Sequence, residues 1–400
     1  MIDSNGGKKM KRGKKIIGAL LAVALLMNIP AVHASANTVS DSFRVASFNI
    51  AAGKKPNIEA MNSALEQENI DVVGVQEVDI NTGRNNYDML AKFEEYEYFT
   101  DSHFQKTIDY SGGQYGIGLL SRYEFKEKTG AALSNEGSYE ARAYARGVFE
   151  KDGKEVAIYN THLTHESQSL RAKQMSEVLA AMDADPTPYK ILTGDFNTDQ
   201  SITENYPMMK NYNLANGKDG IWHNTYNQYD SSMNVYCIDN IVTTRNIKVN
   251  EVKMVETGLS DHNMLYIDCQ LLDQEEPSRQ LLDCLLADAK DVKGSGYETD
   301  SYQALQDAIG DAEQLAANSS QDEIDNVIAL LEAKLSELVP LKTLENTLIP
   351  KPVEVYETNG EFTLNNETVI NVKGRTSDET SELAKIGEYI ATKFRVSTGY

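Results

Sequence analysis

Short apolar runs alternate with helical patterns between residues 43 and 273, and this alternation constrains the fold more than any other feature. The runs are rich in Val, Ile, Tyr and Phe, as strands are, and Met175, Val178 and Met182 recur between them at helical spacing. Nine such runs suffice for two packed sheets with helices on their outer faces. The sequence therefore predicts one α/β domain over residues 37–273. Its predicted strands are Phe43–Ile50, Asp71–Val78, Gly116–Tyr123, Arg142–Glu150, Glu155–Leu163, Tyr189–Phe196, Tyr236–Thr244, Lys248–Glu256 and Met264–Leu271.

The N-terminus has the three parts of a secretory signal. A group of basic residues within positions 8–15 precedes a 14-residue apolar run, Ile16–Ile29, in which Asn28 is the one polar side chain, and small residues follow at Ala34–Ala36. A permanent membrane helix is the alternative, but a run of 14 residues falls short of the about 20 that span a bilayer. We expect residues 1–36 to be a signal peptide, the mature protein to be secreted, and no transmembrane helix to remain after cleavage.

The charge of the chain limits its partners. The formal net charge is −22 at pH 7, and loss of residues 1–36 removes six basic residues and one acidic residue, which leaves −27. A field of this sign repels polyanions, so we expect no stable nucleic-acid complex. Cleavage of nucleic acid stays open, because a bound divalent metal ion reverses the local sign of an acidic cleft.

The three cysteines are an odd number for an exported protein. Cys237 and Cys269 lie in two predicted strands and could form a disulfide. Buried free thiols are an equal alternative, and the sequence leaves the choice open.

An acidic linker at residues 274–277 separates the α/β domain from three helical patterns over residues 278–341. The last pattern begins with Ser320 and Glu323 at the spacing of a capping box. Together the patterns predict a three-helix bundle, whose role we expect to be spacing or binding. The segment resembles the small "found in various architectures" repeats of exported bacterial surface proteins and glycosidases.

Residues 345–400 combine two strand-like runs, Glu361–Leu364 and Thr368–Val372, with a helical pattern that includes Leu383 and Ile390. They resemble the start of the α/β domain that precedes the catalytic barrel in family 20 glycoside hydrolases. That barrel carries the glycosidase carboxylates, so we expect a partial α/β domain without glycosidase activity.

Six short polar clusters occur in the first domain, each at or just past the end of a predicted strand. In two packed sheets such strand ends share one rim, where loops can assemble a site. Glu77 and Asn49 supply a carboxylate and an amide oxygen, which suit Mg²⁺ or Mn²⁺, so Glu77 is the leading metal-ligand candidate. In an extended chain Asp195 and Asn197 point to one side, toward a common object. The clusters contain Asn49, Glu77, His162, Asp195 with Asn197, Asp239, and Ser260 with Asp261 and His262.

Each cluster alone also has an ordinary structural interpretation. A single histidine at a strand end, such as His162, is more often structural than catalytic, and the motif around Asp195 is typical of an Asx turn. The carboxylate of Asp239 interrupts an apolar strand, so its burial requires a cationic partner, for which His262 is the natural candidate. The joint occurrence of all six clusters between Asn49 and His262 makes chance a poor explanation.

As a set, the clusters resemble the endonuclease/exonuclease/phosphatase superfamily, which includes deoxyribonuclease-I-like nucleases, abasic-site endonucleases, inositol polyphosphate phosphatases and bacterial sphingomyelinases. The resemblance covers about residues 43–272. It implies a four-layer α/β sandwich, an Mg²⁺ or Mn²⁺ cofactor, and in-line attack of an activated water on a phosphate-ester substrate.

The resemblance also implies roles for the residues of the metal side of the site. Glu77, helped by Asn49 and Asp261, would hold the metal ion. His262, paired with Asp239, would act as a general base or as a phosphate-binding cation.

On the substrate side, the resemblance has Asp195 orient the attacking water and Asn197 bind a phosphate oxygen. His162 would protonate the leaving group or stabilise the developing charge. Arg142 matches a commonly seen arginine position and could bind a phosphate with two hydrogen bonds. Arg146 competes for that role, and a surface salt bridge is an equal alternative for Arg142.

The catalytic set does not decide between nucleic acid, a phospholipid headgroup and a small phosphate ester as the substrate. A second hypothesis is a truncated cell-surface glycan-processing protein, whose bundle and last segment contact glycans or the cell surface. The complete set Glu77, Asp195 and His262 separates the two hypotheses, because a pure binding module has no need of it. We therefore predict a secreted, metal-dependent phosphoesterase.

Overall fold

The computed structural model describes residues 42–138, 140–198, 204–228, 236–341, 365 and 367–398. The predicted signal peptide and the predicted strand Glu361–Leu364 lie outside the described residues. Within those residues, no helix has the length and apolar character needed to cross a bilayer.

Two six-stranded mixed sheets form the centre of the described chain. Their strands are β1 (Ser42–Asn49), β2 (Val72–Ile80), β3 (Asp101–Tyr110), β4 (Gly113–Ser121), β5 (Glu127–Ala132), β6 (Ala143–Lys151), β7 (Lys154–His162), β8 (Tyr189–Asp195), β9 (Asn213–Leu214), β10 (Asp239–Thr243), β11 (Ile247–Val255) and β12 (Met264–Leu271). The first sheet has the order β11-β12-β1-β2-β4-β3 and the second has the order β5-β6-β7-β8-β10-β9. The pairs β1–β2 and β7–β8 are parallel, and the other pairs are antiparallel.

Helices cover the outer faces of both sheets. α1 (Ile58–Gln67) and α2 (Met89–Glu94) pack on the first sheet, and α3 (Gln168–Ala184) and α4 (Tyr206–Met209) pack on the second. A third apolar core fills the space between the two sheets. The four-layer α/β sandwich predicted from the sequence is therefore confirmed.

All nine predicted strands are present, with ends within three residues of those predicted. Three further strands, β3, β5 and β9, are not predicted by the sequence patterns, and all three lie at sheet edges. β3 and β5 are exposed or half-exposed and mostly polar, and β9 has only two residues. A central strand covered on both faces is mostly apolar, whereas an edge strand need not be, so the apolar runs predict the central strands and, of the four edge strands, only β11.

The predicted strand Thr368–Val372 is wrong. Residues 368–372 have no regular structure, and Val369 is 73% exposed. β-Branched residues favour a strand where a neighbouring strand and a core accept them, and no strand of the described residues pairs with this run. The helical pattern that follows forms α8 (Ser377–Thr398).

Three helices follow the sandwich and pack against one another: α5 (Gln280–Asp291), α6 (Thr299–Gln314) and α7 (Gln321–Ser336). α7 begins at a capping box, in which the hydroxyl of Ser320 accepts from the Glu323 amide and the Glu323 carboxylate accepts from the Ser320 amide. The buried side of these helices shares one apolar cluster with α3, α4 and β9. The helices therefore pack onto the α/β domain and do not act as a detached spacer.

None of the three cysteines forms a disulfide. The thiol of Cys237 donates to Asn224 Oδ1 at 3.0 Å, and the thiol of Cys269 lies 3.5 Å from the carbonyl oxygen of Phe43. The disulfide between Cys237 and Cys269 is thus absent, and the alternative of buried thiols holds for both.

A polar bridge joins the two sheets beneath their rim. Asn160 of β7 donates through Nδ2 to the carbonyl oxygen of Val75 at 2.9 Å, and its Oδ1 accepts from Gln76 Nε2 at 2.6 Å. Gly74 leaves the room for this bridge. A Cβ at position 74 would lie 1.9 Å from Thr193 Oγ1 and 2.7 Å from Asn160 Oδ1.

We expect Gly74→Ala to lower the free energy of unfolding by about 3 kcal/mol, because the added methyl overpacks the intersheet space and displaces the Asn160 amide. Denaturant unfolding measures this loss. Gly296→Ala is the control, since a Cβ at position 296 has no neighbouring atom within 4 Å. Equal stability of Gly74→Ala and the parent chain would show that the two sheets do not approach so closely.

Candidate active site

The predicted polar residues meet where strands of both sheets end. Asn49, His162 and Asp195 are the last residues of β1, β7 and β8, and Asp239 is the first residue of β10. In the strand register, Asp195 has His162 of β7 beside it on one side and Asp239 of β10 beside it on the other. The strand ends thus bring four of the six clusters to one rim.

Asp195 is the centre of the site. Its Oδ2 accepts a hydrogen bond from Asn49 Nδ2 at 3.0 Å. The same oxygen lies 3.4 Å from His162 Nε2 and 3.5 Å from His262 Nε2. Burial raises the pKa of the Asp195 carboxyl, and the neighbouring His262 offsets this rise in part. One buried oxygen therefore faces an amide and two imidazoles from three other segments of the chain.

His262 stands between two carboxylates. Its Nδ1 lies 2.8 Å from Asp239 Oδ2, and its Nε2 faces Asp195. Burial opposes a charge on this ring, but Asp239 and Asp195 together outweigh burial and raise the pKa of His262. The Oδ1 of Asp239 is buried without a hydrogen-bond partner among the described residues. The cationic partner that a buried Asp239 requires is thus His262.

Glu77 occupies a bulge in β2. The pairing of β2 with β4 shifts its register between Val75 and Val78, and Glu77 has a φ of +57°. A non-glycine residue in this left-handed region is strained, and such strain is common at functional sites. The bulge takes Glu77 out of the strand alternation and places its Oε1 3.3 Å from Asn49 Nδ2.

The surroundings of Glu77 suit a hard divalent cation. Burial raises the pKa of the Glu77 carboxyl and His262 offsets it only in part, so a cation beside this carboxylate would stabilise its ionised form. Asp261 is near enough to raise this pKa further, and carboxylate oxygens are the ligands that Mg²⁺ prefers. Asn49 differs, because its Oδ1 already accepts from the Ala51 amide at 3.0 Å. Asn49 therefore positions carboxylates through Nδ2, and its Oδ1 keeps a second lone pair, so its role as a metal ligand stays a prediction.

A second group, formed by Asp195, Asp239 and His262, is also compact, with candidate ligand atoms within 4.8 Å of one another. In this group, His262 Nδ1 and Asp239 Oδ2 face each other and already form a hydrogen bond. Because Mg²⁺ prefers oxygen ligands to imidazole, the donor chemistry favours Glu77 over this group as the position of a divalent cation, with Asp239 and His262 as a hydrogen-bonded pair.

His162 is buried and neutral. Burial lowers the pKa of His162 well below its usual range, and the charges of Arg142 and His262 lower it further. Arg142 is 3% exposed, and its Nη1 donates to Glu140 Oε1 at 2.8 Å. Its Nε has no hydrogen-bond partner among the described residues. Arg142 is thus a buried cation beside the site that forms an ion pair with the partly exposed Glu140, so both the salt bridge and the phosphate-binding role stay open for it.

Arg146, the competing arginine, is engaged elsewhere. Its Nε and Nη2 donate to the two carboxylate oxygens of Asp185 at 2.7 and 3.0 Å, and its Nη1 donates to Glu127. Carboxylates occupy both sides of this guanidinium, so Arg142 is the candidate for phosphate binding.

The extended conformation expected from Asp195 to Asn197 is wrong. β8 ends at Asp195, and Asn197 has a φ of +52°. The Asn197 amide donates to Asp195 Oδ1 at 3.0 Å, which is the Asx turn left open as an alternative. The Asn197 side chain donates through Nδ2 to the carbonyl oxygen of Leu163 at 2.9 Å. Asn197 therefore lies beside the site with its Nδ2 already used.

Two loop residues that the sequence patterns do not mark as functional complete the site. The Asp239 amide donates to Thr225 Oγ1 at 3.0 Å, and the Tyr226 ring lies edge-on to His262 with 5.0 Å between centroids. Ser260 of the sixth cluster donates through Oγ to the carbonyl oxygen of Asn49 at 2.6 Å. The loop has no strand or helix periodicity, so no sequence signal identifies these contacts.

Comparison with known families decides the classification. Residues 46–262, more than half of the 400-residue chain, match the endonuclease/exonuclease/phosphatase family. The chain belongs to this family. It is therefore a hydrolase of the endonuclease/exonuclease/phosphatase type, and this family generally uses a divalent metal ion. The match ends at residue 262, so the resemblances stated for residues 278–341 and 345–400 stay predictions.

Solved structures resemble the chain at low sequence identity. The endonuclease/exonuclease/phosphatase from Beutenbergia cavernae is 20% identical, with 58% of this chain and 72% of that chain covered at a TM-score of 0.49. The mannosyl-6-phosphatase from Bacteroides thetaiotaomicron is 17% identical, with 57% and 99% covered at a TM-score of 0.46. The TDP2 of D. rerio, complexed with a single-strand DNA product, is 17% identical, with 57% and 99% covered at a TM-score of 0.45. No curated protein matches the chain by sequence comparison.

Proposed function

We propose that the chain is an exported phosphoesterase that hydrolyses phosphate esters at the Asp195 site with the help of Mg²⁺ or Mn²⁺. The position of Asp195 carries this proposal. Its buried Oδ2 lies within 3.5 Å of the facing nitrogens of Asn49, His162 and His262. A purely structural aspartate has no need of two histidines at this distance.

The roles follow from these positions. Asp195 orients the attacking water and accepts its proton through its carboxylate, which Asn49 and the Asn197 amide hold in place. His262, held as a cation by Asp239, binds a phosphoryl oxygen, and His162 donates a hydrogen bond to the leaving oxygen. Glu77 with Asp261 would hold a divalent ion, which would supply Lewis-acid stabilisation of the developing charge.

The substrate side of the site combines a cation with aromatic rings. Arg142 supplies the buried positive charge, and the rings of Tyr226 and Tyr236 lie 6.2 Å apart beside His262. Tyr236 is 42% exposed. We infer that Arg142 contacts a second phosphoryl oxygen and that the organic part of the ester packs against the two tyrosines.

The proposal is tested with the protein recovered from the growth medium, whose N-terminal sequence we expect to begin just after Ala34 or Ala36. This protein is incubated with bis-p-nitrophenyl phosphate, DNA, sphingomyelin or inositol phosphates, with Mg²⁺, Mn²⁺ or EDTA. We expect metal-dependent turnover of at least one of the four, and the best substrate identifies the chemical class. No turnover of any of them with either ion would overturn the proposed activity, and an uncleaved N-terminus would overturn export.

A further inference from the structure

One segment of the chain forms hydrogen bonds next to both members of the pair Asp239–His262. We call residues 213–228 the rim segment; it begins at β9 and ends beside the active site. Asn216, fully buried, donates through Nδ2 to the carbonyl oxygen of Asp239 at 3.0 Å, and its own amide donates to Asn240 Oδ1 at 2.9 Å. The rim segment therefore fixes the backbone at Asp239 near its start.

The far end of the rim segment holds the other partner of the pair. The Asn227 amide donates to the carbonyl oxygen of Asp261 at 2.8 Å, and the Asn263 amide donates to that of Thr225 at 2.6 Å. These bonds enclose His262, which follows Asp261 and precedes Asn263. A shift of the rim segment therefore moves both sides of the hydrogen-bonded pair.

The start of the rim segment is held from outside the sandwich. β9 is an edge strand, and Gln280, the first residue of α5, takes the place of a further strand beside it. Gln280 Oε1 accepts from the Leu214 amide at 2.8 Å, and Gln280 Nε2 donates to the Leu214 carbonyl oxygen at 2.7 Å. One side-chain amide thus satisfies both backbone groups of Leu214, as a paired strand does.

Further contacts hold the same part of the sandwich against the helices. The Tyr206 hydroxyl donates to Asp288 Oδ2 at 2.6 Å, and Lys210 pairs with Glu332 at 3.1 Å. A groove of about 760 Å³ lies beside these contacts and is lined in part by Leu214, Trp222 and Gln280. Trp222, the single tryptophan of the chain, belongs to the rim segment and packs against the shared apolar cluster.

We propose that α5–α7 act as a buttress for the active site, and that Gln280 is the positioning residue through which they hold the rim segment and thereby the Asp239–His262 pair. Gln280 lies outside the matched family region, residues 46–262. The effect on turnover rests on the proposed function, whereas the effect on the rim segment does not.

The test compares Gln280→Met with Gln303→Met in the full chain. Methionine keeps the length and helix propensity of glutamine but removes both hydrogen bonds to Leu214. Gln303 is a matched control, because it is an exposed residue of α6 whose side chain bonds only within its own helix, to Asp307. Trp222 reports the rim segment directly through its emission maximum and its quenching by acrylamide.

In Gln280→Met we expect a red-shifted Trp222 emission and stronger quenching at a temperature where circular dichroism shows a folded protein. We also expect kcat with bis-p-nitrophenyl phosphate to fall by about three- to tenfold, while KM changes by less than about twofold. The reason is that loss of the two hydrogen bonds between Gln280 and Leu214 loosens the rim segment, which aligns His262. Gln303→Met leaves all four quantities as in the parent chain.

Two results would overturn the proposal that α5–α7 hold the rim segment through Gln280. One is a Gln280→Met protein whose Trp222 signal and kcat equal those of the parent chain. The other is equal losses in Gln280→Met and Gln303→Met, which would show general destabilisation. If the parent chain hydrolyses none of the esters, the proposed activity fails, and the Trp222 signal alone then decides whether Gln280 holds the rim segment.

Discussion

Replacement of Asp195 by asparagine is expected to lower kcat by about 100- to 10,000-fold, the range that a positioned proton-transfer group supplies. Asparagine keeps the size of the side chain but loses the charge that faces His162 and His262 at 3.4 and 3.5 Å. It also loses the second acceptor oxygen of the carboxylate. The measurement is steady-state hydrolysis of the best substrate, with thermal unfolding to show that Asp195→Asn remains folded.

Asp268→Asn is the matched control for this prediction. Asp268 is a half-buried aspartate of β12 whose Oδ2 pairs with Arg44 at 3.3 Å, away from the rim. We expect its kcat to stay within about twofold of the parent value, since an exposed ion pair contributes little to folding and nothing to the site. An Asp195→Asn protein that kept more than about one tenth of the parent kcat would exclude Asp195 from the reaction.

Replacement of Glu77 by glutamine is expected to weaken Mn²⁺ binding by at least about tenfold and to lower turnover at a fixed Mg²⁺ concentration, because the bulge directs this carboxylate to the cation position. Glutamine retains an oxygen but removes the negative charge. Mn²⁺ binding to the full chain is measured by titration calorimetry without substrate, so the result is independent of activity.

Glu251→Gln provides the comparison for the metal measurement. Glu251 is an exposed glutamate of β11, and it shares with Glu77 only its charge and its place on the first sheet. We expect its Mn²⁺ affinity to equal that of the parent chain. If Glu77→Gln bound Mn²⁺ as tightly as the parent chain while Asp239→Asn lost the ion, the cation would belong with Asp195, Asp239 and His262 instead.

The sequence predicts the buried parts of this fold well, for a physical reason. A strand such as β1 or β8 is covered by a second sheet on one face and by helices or loops on the other, so most of its residues are buried and a core of apolar residues marks it in the sequence. The edge strands β3, β5 and β9 are under no such constraint, and they escape the apolar patterns. The predicted strand Thr368–Val372 shows the converse error, since its β-branched residues have no covering layer in the described chain.

For the candidate site, too, the sequence predicts some features and not others. The identity of its members could be predicted because polar residues at strand ends interrupt apolar runs, as Asn49, His162 and Asp195 do. Their orientation could not, because it depends on local geometry that the pattern does not encode. Glu77 reaches the site only through a bulge, and Asn197 turns away through a left-handed residue.

Hydrogen bonds between residues that are distant in the sequence are a second feature that the sequence predicts only in part. The sequence suggested His262 as the partner of Asp239 because a buried carboxylate requires a cation. Nothing comparable pointed to Thr225, which binds the Asp239 amide, or to Gln280, whose side chain lies against β9 from another part of the chain. Neutral hydrogen bonds of this kind leave no charge imbalance in the sequence, so only the structure reveals them.

The most direct test of the central claim is the rate of p-nitrophenolate release from bis-p-nitrophenyl phosphate by the full chain, first with Mg²⁺, then after EDTA, then after Mg²⁺ is restored. We expect release with Mg²⁺, none with EDTA, and recovery when the ion returns. Release that continues unchanged in EDTA would contradict a metal-dependent phosphoesterase built around Glu77 and Asp195, and so would the absence of turnover with Mg²⁺ for this ester, DNA, sphingomyelin and inositol phosphates alike.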